Sequence, residues 1–209
     1  MPKVLVLFHS RTGHTAALAD AIAEGAASVK FTEVDVRRIA DLATASAMAG
    51  DDERAQSRAA LERKYRTLES VDVLPDYDAL IVGSPTRFGV MSAELTSVFD
   101  QAGPLWARGA LVDKVGSAFS TAQTSHGGHE MTILSMLIPM MRYGMILVPP
   151  GYTAPATISA GSPYGAASAT GAGAPAEAEL TVARHQGARV AKVAEWVRHA
   201  KSHAHQHTL

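Results

Sequence analysis

The run Val4-Leu-Val-Leu-Phe8, followed at once by the polar turn Ser10-Arg11-Thr12-Gly13-His14-Thr15, constrains this chain more than any other stretch. An unbroken apolar run of strand length has no polar face, so it predicts a strand buried on both sides. Such strands occur where helices cover both faces of a parallel sheet. The turn opens a helix whose Leu18, Ala21, Ile22, Gly25 and Val29 share one face at helical spacing. Strand, polar turn and helix in that order make the first unit of an alternating α/β chain.

The rest of the chain repeats the alternation. Residues 32–39 alternate apolar positions at Val34 and Val36, and Ala79 to Gly83 is a second fully apolar strand. That strand runs into Ser84-Pro85-Thr86-Arg87-Phe88-Gly89 and a helix marked by Leu95, Val98, Phe99 and Ala102. Val115 to Phe119 predicts a fourth strand, opening into a polar loop over 120–128. Met131 to Tyr143 predicts a largely apolar helix with a kink at Pro139, and Met145 to Val148 a fifth strand. Residues 41–75 read as a surface insertion holding a charged helix, with Leu61, Tyr65 and Leu68 packed inward. Residues 149–175, rich in Gly, Ala, Ser, Thr and Pro, read as a long loop. A last helix is marked by Leu180, Ala183, Gly187, Val190, Ala194 and Val197. The expectation is one α/β domain over 1–198, a doubly wound five-stranded parallel sheet of order 2-1-3-4-5 with helices on both faces, and a frayed His-rich tail over 199–209. Ligand should sit beyond the carboxyl ends of the first and third strands.

Composition removes several classes of chemistry. No cysteine occurs among the 209 residues, so thiol nucleophiles, redox dithiols, iron–sulfur clusters and thiolate zinc sites are excluded. A net charge of −1 gives no reason to expect nucleic acid as a partner. The apolar run at the amino terminus is short for a targeting segment, and no run approaches the ~20 residues of a membrane span. A cytoplasmic protein is expected. His126 and His129 have no acidic partner at ligand spacing, so no metal is assigned.

Three loops at the carboxyl ends carry the chemistry. Ser10 to Thr15 offers hydroxyls and a glycine at a helix start, which suits either a phosphate cradle or an ordinary helix cap. It lacks both the lysine of a triphosphate loop and the glycine pattern of a dinucleotide loop. The spacing Ser-x-Thr-Gly-x-Thr is also the phosphate-loop pattern of the flavodoxins. Pro85-Thr-Arg-Phe-Gly89 resembles the flavin loop of the WrbA group of NAD(P)H:quinone oxidoreductases. Gly103-Pro-Leu-Trp106, Tyr143-Gly-Met-Ile-Leu-Val-Pro149, Ser162-Pro-Tyr-Gly-Ala166 and Ala183-Arg-His-Gln-Gly187 are similar to that group in the same order.

The resemblance implies a flavodoxin-like fold, FMN as cofactor, NADH or NADPH as co-substrate, a quinone as acceptor, and a homotetramer. It implies that Ser10, Arg11, Thr12, Gly13, His14 and Thr15 hold the FMN phosphate. Pro85, Thr86, Arg87, Phe88 and Gly89 would frame the flavin ring. Ser120, Thr121, Ala122, Gln123, Thr124, Ser125 and His126 would form a third flavin loop. Tyr143 stands where the group has a histidine near the flavin, and Trp106 and Thr12 would meet nicotinamide and quinone. No side chain is expected to act as a catalytic nucleophile, because the chemistry lies on the flavin. Two other readings share the fold: a one-electron carrier of the flavodoxin type, and a non-catalytic FMN-binding module for a protein partner. A carrier gains from a strongly charged docking surface, which a net charge of −1 does not suggest.

Overall fold

The computed structural model describes residues 1–42 and 52–204. Strand β1 (Lys3–Phe8) leads through the polar turn into α1 (His14–Ala27), and β2 (Glu33–Arg38) follows. Next come α2 (Asp52–Lys64), a short edge strand β3 (Arg66–Thr67) and a 3-10 turn at Val71–Asp76. Then come β4 (Ala79–Pro85), α3 (Ala93–Gln101), α4 (Gly103–Ala107), β5 (Val115–Ala122) and α5 (His129–Arg142). The chain continues with β6 (Ile146–Leu147), α6 (Pro155–Ser159), β7 (Ala167–Ala169) and α7 (Glu177–Ala204).

The sheet is parallel and seven-stranded, ordered β3-β2-β1-β4-β5-β6, with β7 also paired to β5. The expected five-strand order survives as its central path, β2-β1-β4-β5-β6. The two additions correct that expectation. Strand β3 lies within 41–75, so this stretch is more than a surface insertion: it supplies an edge strand, and Leu61 of its helix and Tyr65 just after it are buried in the core. Residues 43–51 of that stretch lie outside the described residues. Strand β7 lies within 149–175, which is therefore not all loop. The lane beyond β5 is filled twice, by β6 against Val115 and Gly116 and by β7 against Ser120 to Ala122, with the intervening residues looped out.

Burial on both faces explains the continuous apolar strands. Val4, Val6 and Phe8 face the layer of α1 and α7, while Leu5 and Leu7 face that of α3 and α5. Ile81 and Leu80 of β4 divide the same way. Phe8 is fully buried and meets Tyr65 edge to face, with ring centroids 5.0 Å apart. Burying a side chain of that size contributes roughly 1.5–3 kcal/mol.

Polar residues inside the sheet are bonded rather than left out. Strand β5 runs on to Ala122 and is buried throughout, so the polar loop expected from residue 120 begins later. Ser120 donates to the Ser84 carbonyl at 2.8 Å. Where the lane beyond β5 divides, the buried Gln186 of α7 bonds across to it. Its Oε1 accepts from the Ala166 N–H at 2.7 Å, and its Nε2 donates to Ser117 Oγ and the Ala118 carbonyl. The last helix also runs further than expected, through His199 and His203 to Ala204; residues 205–209 lie outside the described residues. Among the described residues no helix is long and apolar enough to cross a membrane.

Helices α1 and α7 pack with their backbones nearly touching. A methyl group at Gly187 would run into the Ile22 carbonyl, and one at Gly25 into the Arg184 carbonyl. This contact gives a prediction with an informative sign. Gly187→Ala raises intrinsic helix propensity by about 1 kcal/mol. The contact nevertheless makes it destabilising, with overpacking costing about 1–3 kcal/mol. Thermal denaturation should show a melting temperature lower by several degrees, at ~2–4 °C per kcal/mol for a chain of this size. An unchanged or raised melting temperature would mean that the helices are further apart.

Candidate functional site

The carboxyl ends of β1, β4, β5 and β7 converge on a cleft of about 610 Å³, within the size range of cofactor pockets. Four loops line it. From the first come Arg11, Thr12, His14 and Thr15, and from the second Pro85, Thr86, Arg87 and Phe88. The third gives Thr121, Ala122, Gln123, Thr124 and Gly127, and the fourth Thr170 and Gly171.

The first loop is built around Gly13, whose φ of 90° lies in the left-handed region. That backbone bend aims the opening N–H groups of α1 at the cleft, where they have no intrahelical acceptor. Ser10 is buried and its hydroxyl accepts from the Gly13 N–H at 3.1 Å, so it holds the loop's shape instead of lining the cleft. The Thr15 hydroxyl, almost fully buried, lies 2.9 Å from that of Thr121, tying the first loop to the third.

The second loop presents backbone. The Thr86 hydroxyl accepts from the Gly89 N–H at 3.2 Å and lies 2.8 Å from the Thr132 hydroxyl on α5. The backbones of Arg87 and Val90 exchange hydrogen bonds. Phe88 has φ 56° and is 99% exposed. A bulky residue held in that region and offered to solvent is a costly arrangement that clusters at binding sites.

Other expected residues fall elsewhere. Gly89 lies in the second loop but is not among the lining residues, and Ser125 and His126 are exposed beyond the third. Ser120, bonded within the sheet, does not face the cleft. Tyr143 and Trp106 are at the opposite, amino-terminal end of the sheet. Tyr143 donates to the Phe99 carbonyl at 2.6 Å, and burial, with the Asp100 charge added, pushes its phenol up from the ordinary value. Trp106 sits in the short helix α4, half exposed, with the Arg142 guanidinium 5.8 Å from its ring centroid. Neither lines the cleft of its own chain.

Two features escaped the sequence reading. The fourth loop lies in the low-complexity stretch, and Thr170 donates to the Ala122 carbonyl at 3.1 Å. Its only local signal is a hydroxyl beside a glycine. Beneath the first loop, the buried His9 lies between two carboxylates, with Nε2 3.3 Å from Asp41 and Nδ1 3.6 Å from Glu94. Burial acts to raise the Asp41 carboxyl, but the His9 hydrogen bond and the charges of His9, Arg58 and Arg38 outweigh it and hold it low. The three residues have the spacing of a metal set. Arg38, at 3.3 Å, Arg58, at 3.7 Å, and Arg54, at 3.9 Å, all reach Asp41 and disfavour a dication there. Above this cluster, burial and then the positive charges of Arg54 and Arg87 lower Arg11, with Glu94 and Asp41 opposing.

The donor set fits FMN. A helix start with free N–H groups and neutral hydroxyls suits a terminal phosphate, and the exposed backbone of the second loop suits the edge of a planar ring. The cleft is partly open to solvent.

The sequence profile of the NADPH-dependent FMN reductase family matches residues 2–158. A protein of Chromohalobacter salexigens named NAD(P)H dehydrogenase (quinone) is 40% identical over 202 residues, covering 93% of this chain and 98% of that one. A protein of the same name from Nitrobacter winogradskyi is 42% identical over 208 residues, with the same coverage. Among solved structures, a WrbA-like flavodoxin from Agrobacterium tumefaciens superposes with a TM-score of 0.63 at 22% identity, over 94% of this chain and 99% of that one. An archaeal flavodoxin gives 0.61 at 20% identity, over 92% and 99%. At these identities the structures speak for the fold alone.

The Thr15–Thr121 bridge generates a test. Thr15→Val keeps the side-chain volume and removes one hydroxyl from the cradle. Hydrogen bonds to a charged group contribute about 1.5–3 kcal/mol each, so FMN affinity should fall roughly tenfold or more. Fluorescence titration of the flavin-free variant measures this; unchanged affinity would place the phosphate away from Thr15.

Proposed function

This chain belongs to the NADPH-dependent FMN reductase family, and from that premise we propose that it is an FMN-dependent NAD(P)H:quinone oxidoreductase. The observation that carries the reading is the cleft itself. It pairs a neutral phosphate cradle at the start of α1 with a wall of exposed loop backbone, and stays open on the remaining side. Bound there, FMN supplies two-electron hydride chemistry between a reduced pyridine nucleotide and a quinone.

The protein's share is position. The first loop anchors the cofactor phosphate, with Thr15 and Thr121 clamped together behind it. Thr86 to Phe88 frame the ring, held by the Thr86–Thr132 contact to α5. Gln123, Thr124 and Thr170 close the far wall. Thr12, exposed at the cleft edge, is placed to meet a substrate. One open face serves donor and acceptor in turn, which corresponds to ping-pong kinetics. The cytoplasm, where reduced pyridine nucleotides are abundant, is the setting proposed for such a reaction.

A homotetramer is part of the proposal. Helix α5 exposes Met131, Ile138 and Met141, and Ile158 and Trp106 are exposed as well. Scattered apolar residues are ordinary, but three on one helix favour burial against another copy. Because Trp106 lies at the end of the sheet opposite its own cleft, its proposed role in substrate binding requires a cleft on a neighbouring copy.

Purified protein should show flavin absorption, oxidise NADH or NADPH with 1,4-benzoquinone, and give parallel double-reciprocal lines. Light scattering should report four chains. A flavin-loaded protein that oxidises neither donor would favour the electron-carrier reading, and a monomer would remove Trp106 from the substrate site.

A further inference from the structure

The cleft carries positive charge as well as neutral hydroxyls. Arg11 and Arg87 come from two separate loops, and both line the cleft. Among the described residues neither guanidinium has a hydrogen-bonded or ion-paired partner; Arg87 only covers the Phe88 ring, 5.7 Å from its centroid. Like charges brought together at a cleft repel one another, and an anion between them offsets that cost.

The charges acting on Arg11 identify the wall it faces. Arg54 is on α2, Arg87 follows β4, Glu94 is on α3 and Asp41 follows β2. Arg54, Glu94 and Asp41 put Arg11 on the α2–α3 side, while the Arg87 loop is held against α5. The neutral hydroxyls of Thr15, Thr121 and Thr124 lie on the other side, toward β5 and β7. The hydroxyls of the cradle and the Arg11 guanidinium thus belong to different walls of the cleft. Quinones are uncharged and give the pair nothing to hold.

We infer that Arg11 and Arg87 form a second anion subsite, which takes the phosphate monoester on the adenosine ribose of NADPH and so selects NADPH over NADH. The inference rests on the proposed function, because it assigns these residues to that reaction's donor. Planar guanidinium forks supplied from two loops suit the several oxygens of a phosphate. The selection is by charge and fork geometry, so lysine is a poor substitute at either position.

The test uses the FMN-loaded protein and calorimetric titration with two fragments differing only in that phosphate: adenosine 2′,5′-bisphosphate and adenosine 5′-monophosphate. The bisphosphate should bind about tenfold or more tighter, and Arg11→Gln and Arg87→Gln should each remove most of that preference. FMN affinity is measured for the same variants. Equal binding of the two fragments by the unaltered protein overturns the inference. So does an Arg11→Gln variant that loses FMN affinity while keeping the preference, since its guanidinium then serves the flavin phosphate. Quinone-linked turnover separates the two proposals. Fragment selectivity without turnover of either donor keeps the subsite and defeats the oxidoreductase reading. Equal turnover of NADH and NADPH without fragment selectivity does the reverse.

Discussion

The opening N–H groups of α1 have no acceptor within their own helix, and most of the site depends on where the fold aims them. Strand β1 is buried on both faces, so the turn after it must emerge at the edge of the sheet, and Gly13 bends the backbone so that α1 starts there. An anion at that point satisfies the N–H groups and the positive end of the helix dipole together. Thr15 is fixed to Thr121, so the neighbouring strand shares in holding the cradle. The second loop is in turn held against α5 through Thr132. A phosphate cradle and a ring slot thus lie side by side because β1, β4 and β5 are adjacent and parallel.

The same adjacency explains the divided lane beyond β5. Strand β6 covers the amino-terminal end of β5, and the chain then leaves the sheet and returns as β7 at the carboxyl-terminal end. That return brings Thr170 and Gly171 to the cleft. It also leaves buried backbone groups at the break, and leaving such groups unpaired costs about 1–3 kcal/mol each. Gln186, fully buried on α7, bonds to Ala166 just before β7 and to Ser117 and Ala118 of β5 beside the break. Its neighbour Gly187 lets α7 approach α1 closely enough to place it there.

The sequence was legible where one physical effect dominated. The runs Val4 to Phe8 and Ala79 to Gly83 are apolar because both faces are buried, and the loops that follow them reach one cleft. It was illegible where pairing partners, and not side chains, make the structure. Ala167–Ala169 is a strand because β5 offers it hydrogen bonds, with no strand-like pattern of its own. Ser120 looked like loop because it is polar, yet a buried acceptor satisfies it within the sheet. Trp106 and Tyr143 were drawn to the flavin by resemblance, although connectivity sends them away. The helices that follow the carboxyl ends of β4 and β5 return the chain to the amino-terminal end, so residues at their far ends are distant from that chain's own cleft. The His9–Asp41–Glu94 cluster joins three distant segments and has no local signal at all.

The central claim is that the start of α1 is a cradle for the phosphate of FMN. Fluorescence titration of the flavin-free protein with FMN and with riboflavin tests it directly, because the two ligands differ only in that phosphate. Two or more charge-assisted hydrogen bonds predict FMN binding at least about a hundredfold tighter than riboflavin. Equal affinity for the two flavins would contradict the account.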